Sequence, residues 1–208
     1  MGSLGPTAPR TPLGVDPEDH PVEVLRDEIE EAFPRLEGQI WRLKSPKDRS
    51  YQCIAWAACR TDHIWWPYQD DPPPLGLYWP PGVPANCKVE TFVQAFEPLG
   101  YRRCDSREFE FGYQKVAIYA WDVNTTTHMA RQHFCGRGWL SKPGRLADIV
   151  HPTLESLESD PPYSGTDYGK IFQILKRSWV AALITDFGLF RCAWYAFRFW
   201  LYRVTHGW

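Results

Sequence analysis

A cysteine that does nucleophilic chemistry reacts as its thiolate, and a helix N-terminus and a neighbouring imidazolium both make that form easier to reach. Cys53 stands where the charged stretch Lys47-Asp48-Arg49-Ser50 gives way to the alanine-containing run 54–59, expected to be a short buried helix. Unpaired backbone N–H groups of that first turn would point near its sulfur and would also hold a developing oxyanion. The base must come from another element. His128 is expected to open a strand just past Thr125-Thr126-Thr127, on one face with Ala130 and Gln132, while Met129, Arg131 and His133 take the other. A third polar group would orient its ring: Ser141 on the neighbouring strand, Gln132 or Asp148. The same residue types also serve packing, since cysteine is among the most buried residues, and Cys59 reads that way. His20, His63 and His206 sit in loops or tails. His128, His133, His151 and Cys135 carry metal-ligating atoms, but strand alternation separates the first two, and no metal site is assigned.

The elements that must position these groups follow from spacing. Val22, Leu25, Ile29 and Phe33 predict an amphipathic helix over 22–33, stopped by Pro34. A short strand at 39–43, a charged turn at 45–50 and the short helix within 51–59 follow. Residues 65–84 interleave seven prolines with Trp66, Tyr68, Tyr78 and Trp79, which excludes a long helix or a central strand. Such a loop either walls a cleft or closes the core. Asn86 is the expected cap of a helix carrying Val89, Phe92, Val93 and Phe96, with Gly100 as its left-handed stop. Strand-like runs at 115–121, 127–134 and 138–142, joined by turns at 122–124 and 135–137, predict an antiparallel meander. Residues 146–157 read as helical in part, and 171–175 as strand or helix. Together these predict an α+β domain with N-terminal helices packed on a small antiparallel sheet.

Composition bounds the function. The 208 residues carry 23 Lys and Arg against 25 Asp and Glu, a net charge of −2, so no general positive field exists to hold nucleic acid. The 11 Trp, 10 Tyr, 11 Phe and 19 Pro predict an aromatic core with stiffened loops. Residues 1–21, rich in Pro, Gly and acidic groups, are expected to be a disordered tail ahead of a domain at 22–177. That start has no apolar run behind a basic cluster, and Pro6 departs from the Ser or Thr of a myristoylation signal. Six cysteines without a CxxC pair predict reduced thiols in an intracellular, cytoplasmic protein. The segment 178–208 is aromatic and expected to be helical. A plain membrane span there would bury Asp186, Arg191 and Arg198 at about 2.5–3.5 kcal/mol each. Docking on a membrane surface or a partner, or packing on the domain itself, are the open alternatives.

The runs Tyr51-Gln52-Cys53-Ile54-Ala55-Trp56-Ala57, Tyr78-Trp79-Pro80-Pro81-Gly82-Val83-Pro84, Lys115-Val116-Ala117-Ile118-Tyr119, Thr127-His128-Met129-Ala130-Arg131-Gln132 and Gly138-Trp139-Leu140-Ser141-Lys142-Pro143-Gly144 resemble an uncharacterised domain family of bacteria and fungi over about residues 36–177. Its layout, a cysteine on a helix followed by a histidine at the head of a strand, is similar to papain-like and NlpC/P60-like cysteine hydrolases. The resemblance implies a papain-like fold, Cys53 as nucleophile, His128 as base and Ser141 near the third position, where those enzymes more often carry Asn, Asp, His or Gln. Gln52 stands where the resembling domains often have Asn and would supply an amide donor.

These readings lead to a cysteine hydrolase or acyltransferase acting on an amide, isopeptide or thioester bond of a protein or peptide, with no cofactor. Trp66, Trp79, Gln52 and Gln132 are the candidate substrate contacts. The alternative is a non-catalytic interaction module on the same scaffold, with 178–208 as its docking element.

Overall fold

The computed structural model describes residues 22–186 apart from 70–73, 164 and 166. The expected tail 1–21, Pro72 and Pro73 of the proline-rich loop, and residues 187–208 of the terminal segment, with Cys192 and His206, lie outside the described residues. In chain order the elements are α1 (Val22–Ala32), β1 (Arg42–Lys47), α2 (Cys53–Ala57), β2 (Ile64–Trp65), β3 (Leu77–Tyr78), α3 (Val89–Phe96), β4 (Arg102–Cys104), β5 (Tyr113–Asp122), β6 (Thr125–Gln132), β7 (Trp139–Ser141), β8 (Ala147–His151), β9 (Lys170–Ser178) and α4 (Trp179–Asp186). Seven strands form one antiparallel sheet in the order β1-β8-β7-β6-β5-β9-β4, and β2 pairs with β3 in a short parallel ribbon inside the proline-rich loop. The class is α+β. The sheet is larger than the expected meander, and the helices are distributed along the chain rather than gathered before it: β1 precedes α2, and α4 follows β9.

Two cores sandwich the sheet, and the period-two pattern of the central strands assigns residues to each. Val116, Ile118 and Met129 join Ile54 and Trp56 of α2 and Phe92 and Phe96 of α3 on one face. Ala117, Tyr119 and Ala130 join Ile29 of α1, with Phe33, Leu36, Leu154 and Leu157, on the other. Phe92 and Phe96 are completely buried, each contributing roughly 1.5–3 kcal/mol of hydrophobic stabilisation. Leu25 and Ile29 bury the face of α1 that their spacing predicts, and Gly100 adopts the left-handed conformation (φ 86°) expected of a stop.

Several boundaries differ from expectation for identifiable reasons. The strand expected at 39–43 lies at Arg42–Lys47, taking in the first half of the predicted turn. Pro46 is accommodated because β1 is an edge strand whose register against β8 shifts between Leu43 and Lys47. The stretch read as partly helical has a 3-10 helix at Leu154–Leu157, but 147–151 is the strand β8; Ala147, Ile149 and His151 alternate inward, and ladders to β1 and β7 decide the matter. The segment 171–175 is strand, within β9. Asn86 does not occupy the cap of α3: Lys88 does, while Asn86 Oδ1 accepts from Lys88 N (3.1 Å) and Thr91 Oγ1 (2.6 Å). His128 is the fourth residue of β6 rather than its first, just after Thr127, where the pairing with β5 slips by one residue. Cys59 is more than packing. Its backbone is left-handed (φ 62°), and its sulfur lies 2.8 Å from Arg131 Nη1 and 3.6 Å from Arg177 Nη2, both on buried arginines.

Candidate functional site

Helix α2 begins at Cys53 because Gln52 caps it. Gln52 is extended, its Oε1 accepts from Ile54 N (2.8 Å) and Ala55 N (3.0 Å), and its Nε2 donates to the carbonyl of Trp65. The amide expected to face substrate therefore holds the helix start to β2. Backbone N–H groups of Met129, Ile54 and Cys53 itself favour the anionic form of the Cys53 sulfur, as does the Lys142 ammonium. They are outweighed by desolvation: the residue is only 7 % exposed, and burial raises the thiol to about 11. Burial thus opposes the ionised resting thiol that the helix position alone suggests.

His128 is completely buried. Its Nε2 lies 3.1 Å from Ser141 Oγ, Ser141 Oγ lies 2.9 Å from His151 Nε2, and His151 Nδ1 lies 2.7 Å from the carbonyl of Thr153. That chain has a direction. A carbonyl only accepts, so His151 carries its proton on Nδ1, and burial holds this imidazole down to about 4, keeping it neutral. Its Nε2 then accepts from the Ser141 hydroxyl, whose oxygen accepts from His128 Nε2–H. Burial also pushes the His128 pKa well below the ordinary histidine value, leaving a neutral ring with a lone pair on Nδ1, which has no hydrogen-bond partner among the described residues. The ring is stacked on Tyr168 (4.0 Å between centroids, 2° between planes) and lies 5.4 Å from the Tyr119 ring. Thr127 Oγ1 donates to the Tyr168 carbonyl (2.6 Å), fixing that aromatic beside the strand.

The structure brings His128 and Ser141 together and adds His151 and Tyr168, which the sequence reading did not single out for this role. Cys53 meets β6 one residue further on, at the backbone of Met129. No hydrogen bond joins its sulfur to His128 Nδ1. Tyr168 is a neighbour of both: it stacks on the imidazole, and its phenol pKa is raised by burial and, to a lesser degree, by the nearby Cys53 sulfur. Had 147–151 been read as a strand, its alternation would have placed His151 on the side of Ile149 and offered it as a partner for Ser141.

A protein-family model for a domain of unknown function, DUF7689, matches residues 42–176. The chain belongs to the DUF7689 family. The match runs from the start of β1 into β9, so the DUF7689 domain contains the whole constellation of Cys53, His128, Ser141, His151 and Tyr168, and nearly coincides with the span expected for an uncharacterised domain family. No curated protein and no solved structure matches the chain.

The remaining candidates are placed elsewhere in the DUF7689 domain. Asp148, offered as an orienting group, has its Oδ2 accepting from the Tyr51 hydroxyl (2.7 Å), and burial raises its carboxyl to about 6. Lys142 Nζ lies 5.2 Å from the Tyr51 ring centroid and donates to the carbonyl of Leu146, a buried cation whose pKa desolvation lowers. Gln132, at the far end of β6, donates to the carbonyl of Arg107 (2.9 Å). Trp79 is buried, its ring 5.2 Å from Phe92 and its indole N–H bonded to the Pro84 carbonyl (3.1 Å). Trp66 sits 6.0 Å from the same phenylalanine. Of the two roles open to the aromatic-proline loop, these rings perform core closure. Among the described residues no group of three or more His, Cys, Asp or Glu side chains is arranged to hold a metal ion.

Proposed function

We propose that this DUF7689 domain is a cysteine hydrolase or acyltransferase in which Cys53 attacks an amide, isopeptide or thioester carbonyl and His128 accepts the thiol proton. The observation that carries the reading is the buried, unpartnered lone pair on His128 Nδ1, imposed by the bond chain through Ser141 and His151. A buried unpaired nitrogen costs about 1–3 kcal/mol, and that cost supports a role for Nδ1 as a proton acceptor.

In this mechanism the resting pair is neutral. Substrate enters beside Met129 and displaces the cover over the sulfur. The thiol proton passes to Nδ1, the sulfur–carbon bond forms, and the imidazolium returns its proton to the leaving amine or thiolate; water or an acceptor amine then resolves the thioester. At the start of α2 the Ile54 and Ala55 N–H groups are taken by Gln52 Oε1, so in this mechanism the Cys53 N–H is the helix donor that faces the oxyanion. The Ser141 oxygen steadies the imidazolium through Nε2–H, and Tyr168 holds the ring plane. The papain-like layout belongs to the same proposal, resting on the order of a helix-borne cysteine before a strand-borne histidine in an antiparallel sheet. So do a protein or peptide substrate and an intracellular, cytoplasmic setting, where thiols such as the five free cysteines of the described residues stay reduced. No described helix is long and apolar enough to cross a membrane; docking through 178–208 is part of the proposal.

A peptide carrying an electrophilic carbonyl tests it. Cys53 is expected to be acylated, and His128→Ala to slow that acylation by about 10²-fold or more, the usual contribution of a general base. Equal rates with and without the imidazole would overturn the mechanism. A second reading, a non-catalytic scaffold, is favoured by the depth of Cys53 and its thiol near 11. In that case the folded protein leaves Cys53 unlabelled, and His128→Ala changes stability alone.

A further inference from the structure

A second cysteine–histidine pair lies outside the constellation above, in the connection between β6 and β7. Cys135 is exposed, and its Sγ lies 3.0 Å from His133 Nδ1. The backbone N–H of Cys135 also points at that nitrogen, at 3.4 Å, so Nδ1 presents its lone pair and the S–H is the group that donates to it. Partial burial, with the neighbouring charges of Lys44, Arg131 and Arg137, lowers the His133 pKa, so the ring rests neutral. The turn holding the pair is closed by His133 N to Gly138 O (3.0 Å) and Gly136 N to His133 O (2.9 Å). Gly138, at φ 93°, is required there: a Cβ would fall 2.4 Å from the His151 carbonyl oxygen.

The pair opens into a groove of about 400 Å³. Arg42, Lys44 and Arg137 line it together with Cys135, His133 and His151, and no carboxylate is among the lining residues. Three cations around an accessible thiol concentrate an anionic reaction partner beside it. The volume lies within the range of small-molecule sites.

We propose that Cys135 is a thiol–disulfide exchange site for a small peptide disulfide bearing carboxylates, with His133 as the proton acceptor. The Cys135 sulfur attacks one sulfur of the disulfide and a new S–S bond forms as the old one breaks. The departing thiolate takes up the proton that His133 removed, so one disulfide and one thiol become a mixed disulfide and one thiol, with no other oxidant. The carboxylates of the bound half rest against Arg42, Lys44 and Arg137. This site acts independently of Cys53.

The test uses the reduced full chain with oxidised glutathione (anionic), bis(2-hydroxyethyl) disulfide (neutral) and cystamine (cationic), read by intact mass and peptide mapping. Cys135 is expected to be thiolated at least about tenfold faster than half-buried Cys87 or Cys104. Oxidised glutathione is expected to outpace cystamine by about tenfold at low salt, a preference that shrinks as salt is added. Arg137→Glu is expected to reduce or reverse that preference, and His133→Ala to slow all three reactions. Thiolation of Cys135 no faster than of Cys87 and Cys104 overturns the proposal, as does cystamine reacting as fast as oxidised glutathione. Both of these comparisons use the unmodified sequence and do not depend on a variant's folding.

Discussion

Ser141 Oγ lies 3.1 Å from Nε2 of His128, and the hydroxyl's own proton is directed to His151. Removing that oxygen leaves two buried ring nitrogens without partners. Ser141→Ala is expected to lower unfolding free energy by about 1–3 kcal/mol and to let His128 populate both tautomers. Denaturant unfolding checks the first, and ring 15N chemical shifts check the second. A single unchanged tautomer in the variant would mean that Ser141 does not set it.

The buried Cys53 thiol makes a prediction at alkaline pH. Its folded pKa is raised from 9.0 to about 11, so across that window the unfolded chain gives up the proton while the native state keeps it. Stability therefore falls as pH rises through the window, by on the order of 3 kcal/mol. Tyr119 and Tyr168, whose phenols burial also pushes up, add to the fall above pH 10. Urea midpoints measured from pH 8.5 upward are expected to decline less steeply in Cys53→Ala than in the natural sequence. Parallel declines would show that the sulfur is not desolvated as described.

Acid pH sets two histidines against one carboxyl. His151 is lowered from 6.5 to about 4 and His128 is lowered too, so the unfolded chain takes up these protons first and stability is lost as pH falls below 6.5. Asp148 is raised from 3.8 to about 6, so the native state protonates first there and regains stability on the way down. Asp148→Asn removes that opposing contribution. The acid loss between pH 6 and 4 is expected to steepen in the variant by on the order of 3 kcal/mol, as read from denaturant midpoints across the pH series.

Gln52 predicts a local effect. Its Oε1 serves both Ile54 N and Ala55 N, and its Nε2 ties the helix start to the Trp65 carbonyl. Gln52→Ala is expected to cost about 1–2 kcal/mol and to accelerate hydrogen exchange at Ile54 and Ala55 in particular. A variant with native protection at both amides would assign the cap to another group.

Local spacing carried much of this architecture. The three-and-four recurrence of Leu25 and Ile29 specified α1, the pattern from Val89 to Phe96 with Gly100 beyond it specified α3, and the turn at 122–124 specified the β5–β6 hairpin. Such signals are complete within a few residues of chain, because helical and strand periods repeat over that distance. They also put Cys53 at a helix start and His128 on a strand beside the one bearing Ser141. Where a short run fitted two periods, as at 147–151, only the neighbouring strands β1 and β7 chose between them.

What the amino-acid order determined by itself was which groups are present and which local elements carry them. The tertiary structure decided their chemistry. Desolvation is the summed effect of everything that covers a group, so the helix end that favours a thiolate in isolation yields a thiol near 11 once β6 and its neighbours close over Cys53. In the same way the proton on His128 is set by residues 13 and 23 positions along the chain, Ser141 and His151, and the ring's plane by Tyr168, 40 positions away. Those partners meet only when the sheet has formed, because strand pairing, not sequence proximity, brings them within hydrogen-bond reach.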